Sequence, residues 1–149
     1  MRAGFTLIEI LVVLVIAGIL IAIAVPSFER YLERSRLVET TYDLGTMQKT
    51  IKGHEISKGS LPDALADVGY GTKLDPWGRP YEYLNLRNMK GNGKARKDKS
   101  LAPLNSDFDL YSVGRDGLTE AALSNKASRD DVVRARDGRF IGPAEEFDP

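Results

Sequence analysis

The stretch GFTLIEILVVLVIAGILIAIAVP, residues 4–26, decides how this chain is organised. Between residues 5 and 25 the only charged side chain is Glu9. A helix over residues 5–25, at about 1.5 Å per residue, spans roughly 32 Å, which matches the roughly 30 Å hydrocarbon core of a bilayer. Many of these residues are β-branched and favour helix only weakly in water, but in lipid a lone segment must satisfy its backbone internally. We therefore predict a membrane-spanning helix over residues 5–25.

The rest of the 149-residue chain is polar, and its charges balance. There are 21 basic and 21 acidic residues, which give a formal net charge of zero and disfavour a nucleic acid as partner. The chain has no cysteine, which excludes a disulfide, a thiolate zinc site and a cysteine nucleophile. A part of this protein outside the cytoplasm must therefore be stabilised in another way.

A cleaved signal peptide is the alternative interpretation of the apolar segment, because Ala22-Ile23-Ala24 provides a small-x-small cleavage site. Three features argue against it: the apolar run is long, Arg2 is the only basic side chain before it, and Glu9 lies inside it. A carboxylate at the bilayer centre costs about 2.5–3.5 kcal/mol, and less near an interface. Glu9 therefore either extends toward the headgroups or has a partner.

The segment Gly4-Phe5-Thr6-Leu7-Ile8-Glu9 resembles the prepilin processing site of type IV pilins and type II secretion pseudopilins. The resemblance implies that residues 1–4 are a leader, cut after Gly4 by a prepilin peptidase that then N-methylates Phe5. It also implies that Glu9 neutralises the Phe5 amine of a neighbouring subunit during filament assembly. Gly18 and Pro26 fall where the family has a helix glycine and a helix-bending proline.

The remaining sequence predicts an α+β fold, in which the long N-terminal helix packs on a small antiparallel sheet. After a bend at Pro26, residues 26–58 continue as an amphipathic helix whose apolar stripe is Leu37, Leu44, Met47 and Ile51. Residues 59–149 form the head. Strands are predicted at residues 81–86 and 108–113, joined by a flexible, solvated basic loop at residues 90–99. Trp77 is predicted to pack in the core, and His54 to be solvated or to cap the helix.

Two head segments, residues 75–81 (DPWGRPY) and 108–117 (FDLYSVGRDG), are similar to those of major pseudopilins of type II secretion. In that branch calcium ties the C-terminal loop, and oxygen-rich loops suit calcium. The ligands implied here are the carboxylates of Asp116, Asp130 and Asp131, the hydroxyl or carbonyl of Ser128, and the carbonyl of Val113 or Leu118. Residues 120–127 lengthen the loop, and Arg129 adds a positive charge. The alternative is that these aspartates only cap turns.

The resemblance implies a structural subunit, a major pseudopilin that polymerises into a periplasmic pseudopilus and helps drive protein export. It implies a single-pass protein of the bacterial inner membrane with its head in the periplasm. Its partners would be further copies of itself, minor pseudopilins, the prepilin peptidase, and the inner-membrane assembly platform with its ATPase. The alternative is a type IV or competence-type pilin forming a surface fibre. The sequence lacks Gly-x-Ser-x-Gly, His-Glu-x-x-His and a phosphate-binding glycine loop, so we expect no enzyme.

Overall fold

The computed structural model of the chain describes Gly4 and residues 6–89, 91 and 93–148. It divides into two compact units, Met1–Ser35 and Arg36–Pro149. A single helix, α1 (Leu7–Lys58), begins in the first unit and ends in the second, and it continues through Pro26 without interruption. The helix predicted over residues 5–25 and 26–58 is therefore confirmed from Leu7 to Lys58, while Phe5 lies outside the described residues.

In the N-terminal unit the large apolar side chains of α1 are exposed among the described residues. Leu7 is 83% exposed and Val25 52%, and the large apolar residues between them are similarly open. By length and composition this helix is apolar enough to cross a membrane, and none of its most apolar window is buried. An exposed apolar surface of this extent is typical of a segment that contacts lipid or another protein.

In the C-terminal unit α1 buries the predicted stripe. Leu44, Met47 and Ile51 are fully buried, and Leu37 packs on the same core from its margin. The helix ends at Lys58, where Gly59 adopts a φ of +78° and the His54 ring bonds the Ser60 carbonyl oxygen at 3.1 Å. The position of His54 agrees with the predicted capping role.

The sheet has four antiparallel strands in the order β1-β2-β3-β4, where the sequence predicted two. These strands are β1 (Glu82–Asn85), β2 (Phe108–Ser112), β3 (Val132–Ala135) and β4 (Phe140–Pro143). Both predicted strands are confirmed within a residue or two. The sequence missed β3 and β4 because β3 is buried at every position and therefore shows no alternation, while Gly142 and Pro143 break the pattern of β4.

Both faces of the sheet are covered. On one face Phe108, Leu110 and Val132 join the helix stripe, and half-buried Trp77 packs against this core as predicted. On the other face Val133 and Ala135 pack against Leu104, Leu123, Ala144 and Phe147. The second layer consists of loops and the C-terminal segment, so the strands and loops depend on each other for burial.

The prediction of a flexible, solvated loop at residues 90–99 is wrong for its second half. Ala95 is 1% exposed and Arg96 3%, and the backbone of Lys97 bonds the 121–123 segment in both directions. The basic composition concealed this because such runs usually lie in solvent.

Candidate functional site

The start of α1 is held by three reciprocal hydrogen bonds between Thr6 and Glu9. The Thr6 backbone N and Oγ1 both donate to Glu9 Oε2 at 2.7 Å, and the Glu9 backbone N donates to Thr6 Oγ1 at 3.3 Å. This is a capping box, in which the acid satisfies donors that the first helical turn leaves open. Glu9 therefore has a partner within its own chain, next to the predicted Gly4–Phe5 cleavage site.

A buried turn positions the next element of the site. Asp75 Oδ1 accepts hydrogen bonds from the backbone N of Trp77 at 3.0 Å and of Arg79 at 2.8 Å, and Ser112 Oγ donates to Asp75 Oδ2 at 2.6 Å. Gly78 completes the turn with a φ of +85°. The turn thus ties residues 75–79 to the end of β2, and it directs the Arg79 side chain toward the loop at residues 113–131.

Arg79 and Asp130 close the first part of the 113–131 loop. Arg79 Nη1 donates to the carbonyl oxygens of Gly114 at 2.7 Å and Arg115 at 3.1 Å. Gly114 has a φ of +64°, and a Cβ there would overlap the Asp130 carbonyl. The Asp116 backbone N donates to Asp130 Oδ2 at 2.9 Å. The structure therefore brings together Asp116 and Asp130, two of the expected calcium ligands.

The other expected side-chain ligands are bound to protein groups. Ser128 Oγ accepts from the Glu120 backbone N at 2.8 Å and donates to its carbonyl at 2.9 Å. Asp131 Oδ2 accepts from Arg96 Nη2 at 2.5 Å and from Thr119 Oγ1 at 2.7 Å. Burial raises the pKa of the Asp131 carboxyl, and the Thr119 hydroxyl and Arg96 guanidinium oppose that rise.

The donor set in this loop does not fit a calcium ion well. Calcium takes six to eight oxygens, yet Ser128 Oγ and Asp131 Oδ2 already bind protein groups. Asp116 Oδ1 accepts a hydrogen bond from the backbone N of Leu118. Of the two residues expected to offer a carbonyl, Leu118 is exposed and Val113 directly follows β2. Within the described part of the chain no group of three or more His, Cys, Asp or Glu residues could hold a metal ion. Calcium at this loop stays a prediction.

Sequence reasoning missed Arg96, which binds the 113–131 loop from outside it. Asp131 lies 35 residues further along the chain, and no local pattern marks two residues so far apart as a pair. Its only local signal is an arginine beside alanine in a run otherwise typical of a solvated loop.

Comparison with known proteins finds one matching family model and several relatives of this chain. The family described as "Prokaryotic N-terminal methylation motif" matches residues 1–25. The type II secretion system core protein G of Pseudomonas aeruginosa is 30% identical over 78% of this chain and 85% of its own length. The chain belongs to the type IV pilin-like family.

Other relatives of this pilin-like chain are of two kinds, type II secretion system core proteins and fimbrial proteins. The type II secretion system core protein G of Aeromonas hydrophila is also 30% identical, over 78% of this chain and 85% of its own length. A fimbrial protein of Neisseria meningitidis is 22% identical over 92% of this chain and 81% of its own length. No solved structure matches the chain.

Family membership confirms that the pilin-like chain is a structural subunit and not an enzyme. It also explains the α+β architecture of one long helix on a small antiparallel sheet. An apolar N-terminal helix with this motif is consistent with a membrane-anchored protein.

Proposed function

We propose that this chain is the major pseudopilin of a type II secretion system and polymerises into a periplasmic pseudopilus that helps drive protein export. The carrying observation is the 30% identity to two core proteins G, which extends over 78% of the chain and thus far beyond the N-terminal motif. The absence of cysteine favours the same branch, because type IV pilins commonly close the C-terminal region with a disulfide.

The exposed segment of α1 supports a filament subunit. Its apolar side chains, from Leu7 to Val25, find no cover within the described residues of the N-terminal unit. In the bacterial inner membrane lipid covers them, and the head lies in the periplasm. After assembly, the helices of neighbouring subunits replace the lipid, so the same surface serves as membrane anchor and filament core.

Processing and assembly would act at the start of the same helix. A prepilin peptidase cleaves after Gly4 and methylates Phe5. The charged amine of Phe5 then lies four positions before Glu9 in the chain. The Thr6–Glu9 hydrogen bonds satisfy one oxygen of the Glu9 carboxylate within the chain. In the filament that carboxylate neutralises the Phe5 amine of a neighbouring copy, since unpaired charges in a low-dielectric bundle are costly. Minor pseudopilins and the inner-membrane platform with its ATPase complete the assembly machinery.

Deletion of the gene in its own organism tests which machine the subunit serves. The measurements are the protein content of the culture supernatant and the number of surface fibres, with the wild-type gene restored on a plasmid as control. We expect extracellular proteins to be retained in the periplasm while surface fibres persist. Loss of surface fibres with normal secretion would instead support a type IV pilin, the alternative that similarity to fimbrial proteins favours.

A Glu9→Ala variant tests the assembly role separately from processing. N-terminal mass analysis should still find N-methylated Phe5, because the cleavage site is intact, while filament yield should fall strongly. Glu29→Ala is the matched control, since Glu29 is an exposed acid on the same helix beyond the apolar segment, and filament yield should be retained. Unchanged filament yield in Glu9→Ala would contradict the proposed charge pairing.

A further inference from the structure

A buried arginine lies where the 113–131 loop closes on itself. Arg96 is 3% exposed, and its guanidinium stacks 4.4 Å from the centre of the Tyr111 ring. It donates from Nη2 to Asp131 Oδ2 at 2.5 Å, from Nη1 to the Glu120 carbonyl at 2.7 Å, and from Nη1 to Thr119 Oγ1. We call these four residues, Arg96, Thr119, Glu120 and Asp131, the Arg96 cluster.

The acceptors in the Arg96 cluster are a carboxylate, a hydroxyl and a backbone carbonyl. These are oxygen types that a calcium ion would take from a loop, and here one guanidinium binds all of them. They come from both ends of the 119–131 stretch, so a single positive group joins the segment after β2 to the residue just before β3. Glu120 and Ser128 reinforce the closure by bonding each other in both directions.

The arginine is itself fixed in place before it reaches the loop. The Arg96 backbone N donates to Asp109 Oδ2 at 2.7 Å, and Asn105 Nδ2 holds the other oxygen of that carboxylate at 2.9 Å. Because Asp109 lies in β2, the backbone from which the guanidinium extends is anchored to the sheet. A pre-positioned guanidinium loses little conformational entropy when it binds planar oxygen groups.

A divalent ion at this position would meet the positive charge of Arg96. The other oxygen of Asp131, Oδ1, is buried and has no hydrogen-bond partner among the described residues. It belongs to the carboxylate that already binds the guanidinium. Like charges a few ångströms apart in a buried site repel strongly, because the surrounding dielectric screens them poorly. Arg96 and calcium therefore compete for the same carboxylate.

We propose that Arg96 is the built-in cation of the 113–131 loop, and that it replaces calcium as the group that closes the head of this chain. Asp131 is its counter-ion, with Thr119 and the Glu120 carbonyl as further acceptors. Asp116 and Asp130 act as turn residues that hold the first half of the loop through the backbone of Asp116 and Leu118. The inference does not depend on which filament the subunit builds.

The first experiment measures the calcium response of the unmodified protein. The full chain in detergent micelles is melted with millimolar calcium and with chelator, and Trp77, the only tryptophan, reports on the C-terminal unit because it packs against that core. We expect the two Tm values to agree within about 1 °C, since a ligand stabilises only a fold that binds it. A calcium-dependent rise of several degrees in Tm, reversed by chelator, would overturn the proposal.

The second experiment removes the arginine charge. Arg96→Met should lower Tm by about 10 °C or more, because it leaves the buried Asp131 carboxylate without its counter-ion. Arg129→Met is the matched control, since Arg129 is exposed on the same loop, and its Tm should shift by no more than about 2 °C.

The double variant Arg96→Met/Asp131→Leu distinguishes a charge pair from mere packing. Removing both charges should recover a large part of the Tm lost by Arg96→Met, because no buried charge is then left alone. Losses that simply add up would refute the pairing, as would an Arg96→Met chain that melts like the Arg129→Met control. If Arg96→Met fails to fold, Arg96→Lys takes its place, because it keeps the positive charge. The Tm of Arg96→Lys should lie between that of the wild type and that of the single variant Asp131→Leu.

Discussion

Replacement of Arg134 by methionine should cost the C-terminal unit much of its stability. Arg134 is fully buried in β3, and its two terminal nitrogens donate to the two carboxylate oxygens of Asp107 at 2.8 and 2.9 Å. Its Nη1 also donates to the Phe108 carbonyl, its Nε donates to Gln48 Oε1, and its guanidinium stacks 3.9 Å from the Phe108 ring. One side chain therefore connects β3, the start of β2 and α1.

The magnitude follows from what the variant leaves behind. Methionine keeps the stem that packs on Phe108 but leaves Asp107, whose side chain is 5% exposed, with Lys52 as its charged partner at 2.8 Å. Removing one partner of a buried ion pair costs about 3–5 kcal/mol. Lys52→Met is the matched control, because Lys52 binds the same carboxylate from a side chain that is 38% exposed. A partly exposed ion pair of this kind contributes about 0–1 kcal/mol to the free energy of unfolding.

Urea unfolding of the full chain in detergent micelles, followed by Trp77 fluorescence, measures both costs. We expect the Arg134→Met midpoint to fall several times further than that of Lys52→Met, with an unchanged slope if both variants keep the same fold. Equal losses in the two variants would refute the reasoning, because they would mean that burial does not distinguish the two cations on Asp107.

Three further predictions concern the same unit. Burial would raise the pKa of the Asp107 carboxyl, but hydrogen bonds to its cations outweigh this and hold the pKa well below its usual value. The ionised Asp107 carboxylate therefore contributes its full stabilisation above the unfolded pKa of about 3.9, and this contribution is lost as pH falls. The difference in free energy of unfolding between wild type and Asp107→Asn should therefore narrow by up to about 1.4 kcal/mol per pH unit below about pH 4. Gly114→Ala should destabilise the protein by at least about 2 kcal/mol, because its Cβ would overlap the Asp130 carbonyl at a positive φ. Gly53→Ala, in open space on α1, is the control and should stabilise the protein by about 0.5–1 kcal/mol in the same urea assay. Asp75→Ala should cost about 2–3 kcal/mol in thermal melts by leaving two turn amides and a buried hydroxyl unpaired, and Asp75→Asn should cost less because one acceptor remains.

The features predicted correctly from the sequence are those with a strong local pattern. The apolar run of residues 5–25 and the stripe of Leu44, Met47 and Ile51 predict α1, because length and a 3.6-residue period depend only on neighbours along the chain. The turn at residues 75–80 and strand β2 also follow from local turn chemistry and alternation. Strands β3 and β4 could not be predicted in this way, because they are covered by α1 and by loops that lie elsewhere in the sequence.

The candidate site was predictable only as a region. The sequence placed Asp116, Asp130 and Asp131 in one loop, and the structure brings the first two together. It could not reveal that Asp131 faces Arg96, because charge complementarity between distant residues leaves no periodic trace. A buried arginine inside a basic run looks the same in sequence as a solvated one.

The two buried arginines, Arg96 and Arg134, also help to set the register of β3 against β2. The register of β3 against β2 rests on two residue pairs, Tyr111 with Val133 and Ser112 with Val132. A slip of one residue would move every β3 side chain to the opposite face of the sheet. Because the flanking acid Asp131 must meet Arg96 and the strand residue Arg134 must meet Asp107, a slipped strand would leave both charges buried and unpaired. An apolar strand of four residues tolerates either face, so in a head without disulfides the ion pairs select one register and exclude its neighbours.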